Sequence, residues 1–502
     1  MLKKLSPFHF DVFATEPNIP AHIHRSMQYS IWEGGLTGIM SVFTGGVVLT
    51  GFALALGANA FAIGLIAAIQ VGANLLQVRA FRALERNGNR KAMAVKFAAA
   101  SRLVWILIGG LALINFEPLI SYRICLLLLL IAFSSGLGIF SLVPWISWLV
   151  DMVPQKVRGR FFAQRNLAAG AVGVVLGVAA GKFIDWWNAH EIGPTTHGFV
   201  VLIAGGIAFG LWAVAIINKM YDPPFVKPAA QLTFWQSLKI PFRDSNFRRV
   251  FYFRIIYDLS MGIAGTFYGV YMLQQAGLSF TFVSAMAMLA TLTNLLALKP
   301  WGRFLDKFGN KPILYICMIG KTIFALLWIF TTPNTFWLYI VIHLFGVFDA
   351  GNAIAIPNLV YKISPADRRA NYIAVDGTVV GIAATIAPLI GGSLALVFAE
   401  WKLTLGKFHW AHFHFLFFLA ALLRVGTFWA LRYVREPEAK SVAHIINVIR
   451  PIRSIDIFEG FQQALHSLFA PAKYVIDKLV ERPRKKAKVP KPRQIDKDLY
   501  KN

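Results

Sequence analysis

The chain has 502 residues, of which 57% are hydrophobic and 15% charged. Soluble domains run about 45–50% apolar and about 25% charged, so this composition excludes an ordinary soluble enzyme, a disordered scaffold and a fibrous protein. The net charge of +26 does not describe a nucleic-acid surface, because the basic residues alternate with long apolar runs and form no single patch.

Aromatic residues, with 42 Phe, 14 Trp and 14 Tyr, suit a lipid-facing surface with interfacial belts. Cys125 and Cys317 both lie in apolar runs and suggest neither a disulfide framework nor a metal knuckle. Residues 1–25 contain His9, Asp11, Glu16, Pro17 and Pro20 and lack the apolar core of a secretory leader. From there the pattern gives twelve apolar segments: 29–55, 60–80, 92–114, 120–149, 162–184, 198–218, 250–274, 280–300, 312–331, 335–360, 371–398 and 409–432. Each is near the length of about 20 residues that a spanning helix needs. Segments 1, 4, 10 and 11 carry Gly, Pro or Ser breaks, which membrane helices tolerate where neighbours cover them.

One set of connecting loops holds 22 Lys and Arg residues, from Arg79 through Arg369, and the opposite set holds only Arg123, Lys182, Lys402 and Lys407. By the positive-inside rule both termini are expected in the cytoplasm.

The chain also repeats itself. Leu84-Glu85-Arg86-Asn87-Gly88-Asn89-Arg90 returns 221 residues later as Leu305-Asp306-Lys307-Phe308-Gly309-Asn310-Lys311. Gly170, Gly177 and Gly181 return 211 residues later as Gly381, Pro388 and Gly392. The expected fold is therefore all-α and polytopic, two pseudo-symmetric halves of six helices each. The organisation reads as an N-terminal segment (1–28), a first bundle (29–218), an interdomain loop (219–249), a second bundle (250–433) and a basic tail (434–502).

The run Trp301-Gly302-Arg303-Phe304-Leu305-Asp306-Lys307-Phe308-Gly309-Asn310-Lys311 resembles the loop signature of the major facilitator superfamily. The first-half copy departs from it, with Phe81 at the first Gly position and Glu85 at the Asp position. The run Leu49-Thr50-Gly51-Phe52-Ala53-Leu54-Ala55-Leu56-Gly57 is similar to a bacterial branch of that superfamily. The resemblance implies transport by alternating access in a bacterial inner membrane, with a central cavity lined by segments 1, 4, 7 and 10. Two departures weigh against a standard drug–proton antiporter: Ala132 stands where such exporters carry Arg, and segment 5 has Gly173, Gly177 and Gly181 without the antiporter proline.

Ionisable groups deep in lipid cost about 2.5–3.5 kcal/mol on insertion scales, so each asks for a reason. Asp349 and Asp258 are the expected proton or cation sites, and Asp258 has an alternative partner in Arg254, one turn before it. His343 is a possible relay or a packed hydrogen-bonding group. Glu33 is a further coupling candidate, with a shallow interfacial charge as the favoured reading, and Lys321, Arg102 and Arg424 are read as snorkelling or structural groups. Asn352, Trp145, Trp148 and Ser141 are the cavity candidates, with an aromatic belt as the alternative for the tryptophans. His409, His412 and His414 lack a metal-ligand pattern. Two cytoplasmic latches between halves are expected: Asp306 with Arg165 or Arg158, and Asp376 with Arg86 or Arg90, with Glu85 matching Asp306 in the first half.

Residues 455–480 read as an in-plane amphipathic helix, followed by seven basic residues from Arg482 to Arg493 that favour anionic lipid or a protein partner. No nucleophile–base set, P-loop or metal motif is present, so neither an enzyme nor a cofactor is expected. The expected function is secondary active transport of a small organic solute, coupled to protons or another cation. A transporter-shaped scaffold working through its tail and a lipid or lipid-linked carrier are the alternatives.

Overall fold

The structure is a computed structural model that describes residues 19–114, 122–224, 241–365, 368–405 and 408–436. The expected amphipathic segment at 455–480 and the basic run after it lie outside the described residues.

Among the described residues, twelve long helices form the bundle: α1 (Ala21–Ala55, broken at Gly45), α2 (Ala60–Asn87), α3 (Arg90–Leu113), α4 (Arg123–Met152), α5 (Arg158–Ala189) and α6 (Thr195–Ile217), then α7 (Ser245–Gly265, continued through Phe267–Val270), α8 (Phe280–Phe308), α9 (Asn310–Trp328), α10 (Phe336–Ile363), α11 (Arg369–Val397) and α12 (His412–Tyr433). Eleven are long and apolar enough to cross a membrane. The other is α7, whose first turns carry Arg248, Arg249, Arg254 and Asp258. A short hairpin, β1 (Lys402–Leu405) with β2 (Phe408–Ala411), precedes α12.

Local chemistry sets the helix ends. Asn59, Asn89, Asp244 and Ser279 accept first-turn backbone N–H groups with their side chains, capping α2, α3, α7 and α8. The repeated loop motif places Gly88 and Gly309 at positive φ, +71° and +91°, where α2 and α8 stop. A side chain is disfavoured there, which explains why both copies hold glycine.

The halves, α1–α6 and α7–α12, meet along α2 with α11 and along α5 with α8. These contacts are closest at the end away from the basic loops. A Cβ on Gly64 would lie 2.4 Å from the Pro388 carbonyl oxygen, and one on Gly181 2.5 Å from that of Phe280. Asp185 of α5 closes this end further. Its two carboxylate oxygens accept the Phe280 and Thr281 backbone N–H groups at 3.0 and 2.7 Å, so one half caps a helix of the other.

Apolar packing shows the same asymmetry. A single core at the end away from the basic loops joins both halves, taking Phe52 and Phe199 from one and Phe267, Trp328 and Phe417 from the other. At the basic end, separate cores form among the described residues. One is built on Met27, Trp148 and Phe161, the other on Phe247, Tyr372 and Val375. The bundle is thus closed at one end and parted at the basic end.

Replacing Asp185 with Ala removes the cross-half cap, a change worth about 0.5–2 kcal/mol at a helix start. Spin labels on the Asp185 end of α5 and the Phe280 end of α8 are expected to give a longer, broader distance distribution in Asp185→Ala than in the parent. An unchanged distribution removes Asp185 from the closure.

Candidate functional site

Charged side chains inside the bundle gather in three clusters, one in the first half and two in the second.

In the first half, Glu33 is only 3% exposed. This corrects the shallow reading: α1 begins at Ala21, so Glu33 lies roughly 18 Å along it at 1.5 Å per residue. The error arose because the first two turns are polar and look like a loop in the sequence. Glu33 Oε2 pairs with Arg165 Nη2 of α5 at 2.9 Å, and Thr37 donates to Glu33 Oε1 at 2.8 Å. Arg102 of α3 reaches the same group, donating from Nη2 to the Thr37 hydroxyl at 3.3 Å. The Arg165 guanidinium lies 4.3 Å from the Trp145 ring centroid, a cation–π contact. Gly34 makes room for this arginine: a Cβ there would stand 2.9 Å from Arg165 Cγ.

In the second half, Arg254 Nε meets Asp376 Oδ1 at 3.2 Å and its Nη2 meets Asp258 Oδ2 at 3.6 Å. Asp376 therefore faces α7 of its own half. The third cluster joins α9, α10 and α12. Lys321 Nζ pairs with Asp349 Oδ1 at 2.8 Å and lies 4.1 Å from the Phe324 ring centroid. Arg424 donates to the Lys321 carbonyl at 2.6 Å. Lys321 and Arg424 are buried, so neither snorkels. The Asp349 side chain keeps 44% of its surface exposed, while that of Lys321 keeps 7%.

The remaining candidates fall elsewhere. Ser141 donates to the Ala94 carbonyl at 2.8 Å, and the fully buried Trp148 donates to that of Tyr221 at 2.8 Å, so both tie helices together instead of facing a cavity. Asn352 is buried, and its amide has no hydrogen-bond partner among the described residues. His343 Nδ1 lies 2.7 Å from the Tyr339 carbonyl and its ring packs edge-on against Trp328, a packed group on its own helix. Near α12, His414 Nδ1 accepts the Ala411 N–H at 3.2 Å.

Neither expected latch is formed. Arg90 pairs with Asp151 and donates to the Pro223 carbonyl at 3.0 Å, and Arg158 donates to the Val150 carbonyl at 2.7 Å. Arg165 is held by Glu33 and Asp376 by Arg254. Every one of these bonds stays within one half, as a bundle parted at this end requires. Glu85 is half-buried and Arg86 exposed. Asp306 is exposed in a recess of about 400 Å³ that Asn358, Tyr361 and Arg369 also line.

One relation escaped the sequence reading although its signal was present. Arg165 and Asp376 stand 211 residues apart, the same offset that relates the glycines of α5 and α11. They are equivalent positions of opposite charge. The first half has its acid on α1 and its base on α5, and the second has its base on α7 and its acid on α11.

This architecture, two six-helix halves with charge clusters inside each, is the major facilitator fold. The family model described as Major Facilitator Superfamily matches residues 250–472. Similar solved structures include a variant of the nucleoside transporter NupG, with TM-score 0.65 and 12% identity over 82% of this chain and 100% of that one. The D-xylose–proton symporter has TM-score 0.58 and 17% identity over 84% of this chain and 100% of that one. Among curated relatives, the class H tetracycline resistance protein of Pasteurella multocida is 35% identical over 100 residues, covering 20% of this chain and 24% of that protein. The family-model match thus covers the second half of the bundle, and the chain spans about a quarter of the length of this tetracycline resistance protein.

The Arg165 seat can be tested with two neighbouring glycines. Gly34→Val crowds the arginine, and overpacking of this kind costs about 1–3 kcal/mol. Gly35→Val is the control, since a Cβ there meets nothing within 4 Å. Thermal unfolding in detergent is expected to show a clear loss for Gly34→Val and little change for Gly35→Val. Equal shifts would mean that the close approach of Arg165 carries no weight.

Proposed function

We propose that the chain is a secondary active transporter that moves a small organic solute by alternating access and couples this to protons. The basic end is taken as cytoplasmic, which puts both termini inside and makes the parted end the inward-facing opening. Support for transport comes from the superfamily and from the two-half architecture, closed at one end and parted at the other. Neighbours of the same fold include a nucleoside transporter and a D-xylose–proton symporter. The tetracycline resistance proteins match only short segments, so their substrate does not carry over.

The observation that carries the coupling is the Lys321–Asp349 pair. Lys321 is buried, has Arg424 as a second cation beside it, and meets the half-exposed Asp349 at 2.8 Å. Protonating Asp349 removes the carboxylate charge from two neighbouring cations. Isolated charges in a low-dielectric interior are strongly disfavoured, so the protonated and ionised forms favour different arrangements of α9, α10 and α12. A proton taken up on one side then biases the halves toward the other conformation.

Asp349→Asn is expected to abolish accumulation driven by a pH gradient in proteoliposomes while leaving gradient-free counterflow of the same solute intact. A panel of labelled metabolites, screened first with the parent protein, supplies the solute. Gradient-driven accumulation that survives in Asp349→Asn would overturn the assignment.

A further inference from the structure

The three charge clusters do not balance equally. In the second half, Arg254, Lys321 and Arg424 are matched by Asp258, Asp376 and Asp349. In the first half, Arg165 pairs with Glu33 and Arg102 reaches that carboxylate only through the Thr37 hydroxyl, so two cations stand beside one carboxylate and one positive charge is left over.

Buried donors without a hydrogen-bond acceptor occur in both halves, Arg254 Nε and Arg424 Nε in the second, so the charge count is what sets the first-half cluster apart. Among the described residues, Arg102 Nη1, Arg165 Nε and Trp145 Nε1 are buried N–H groups with no acceptor. Arg102 is 7% exposed and Arg165 keeps 14% of its side-chain surface, so the cluster is largely shielded from solvent but not sealed. Buried donors without acceptors are costly, charged ones most of all. A site holding two guanidinium groups, one carboxylate and three free N–H donors is built to receive one more acceptor carrying one negative charge.

We propose that the Arg102–Arg165–Trp145 cluster is the binding subsite for the anionic group of a small organic monoanion, with a carboxylate as the matching chemistry. This names a substrate class for the transporter and rests on that reading. Charge count selects the monoanion. A carboxylate brings the cluster to neutrality beside Glu33, whereas a phosphate dianion would leave an uncompensated negative charge. Geometry agrees, because the guanidinium presents its N–H groups as a planar fork that fits a carboxylate. The Glu33 carboxylate occupies part of Arg165, and the cation–π contact with Trp145 braces the guanidinium, whose Nε–H has no acceptor among the described residues. Glu33 and Trp145 are positioning residues for the arginines. Arg102 and Arg165 supply the charge.

The test is equilibrium binding to the purified full-length protein in detergent. The probes are straight-chain monocarboxylates from acetate to octanoate and benzoate, each beside its neutral amide, together with inorganic phosphate. At least one carboxylate is expected to raise the unfolding midpoint saturably while its amide does not, with phosphate at least tenfold weaker. Arg102→Gln, which keeps the Glu33–Arg165 pair and removes the surplus charge, is expected to weaken the carboxylate at least tenfold. The double variant Glu33→Gln/Arg165→Gln removes that pair as a neutral unit, is checked for folding by circular dichroism, and is expected to weaken it as much.

Stabilisation by amides equal to that by carboxylates, tighter binding of phosphate, no response to any carboxylate, or unchanged affinity in the folded variants would overturn the subsite. No gradient enters this measurement. A protein that fails it but still accumulates solute under a pH gradient loses only the anion site, and one that passes it while Asp349→Asn transports normally loses only the coupling assignment.

Discussion

A charge inside a low-dielectric bundle is favoured by a partner nearby, and here the buried ion pairs that form do so within one half. Breaking a buried pair by removing one partner costs about 3–5 kcal/mol, comparable to the gap between the states of a two-state protein. Glu33 with Arg165, Arg254 with Asp376, and Lys321 with Asp349 all obey this constraint. Each half can therefore rotate as a body without stripping a buried ion of its counter-ion.

The interface between the halves follows from that division. It is made of small residues and backbone: Gly64 against Pro388, Gly181 against Phe280, and Gly392 close to Ala60. Such surfaces approach tightly and can part without leaving a polar group unpaired, which suits the alternating access proposed above. Asp185 is the exception, a carboxylate that spans the halves. It holds backbone amides at a helix start and no opposite charge, and those amides can return to water when the end opens.

Much of the fold was legible in the sequence because membrane helices announce themselves by apolar length. The Gly88 and Gly309 loops recur because only glycine suits their backbone. Legibility stopped where partners are chosen in three dimensions. Glu33 was placed too near the surface because the polar turns from Ala21 hide the start of the helix. Lys321 and Asp349 were weighed separately because residues 28 positions apart on different helices share no sequence signal. The latches were drawn between loops that are parted in this arrangement, so Arg90, Arg158, Arg165 and Asp376 satisfy themselves at home. The match of Arg165 to Asp376 was available from the repeat offset alone, since the same 211-residue spacing had already aligned three small residues of these helices.

Glu436, just beyond α12, belongs to the bundle more than to the tail. Its side chain is fully buried. It accepts the Asn310 and Lys311 backbone N–H groups at 3.1 and 2.7 Å and lies 3.5 Å from Lys362 Nζ. It thereby caps α9 at the loop that carries the family signature. A stop codon placed directly after Tyr433 would remove this cap along with the basic extension. The resulting defect would be charged to the extension although it began in the corner between α8 and α9. A deletion meant to isolate the extension must leave Glu436 in place.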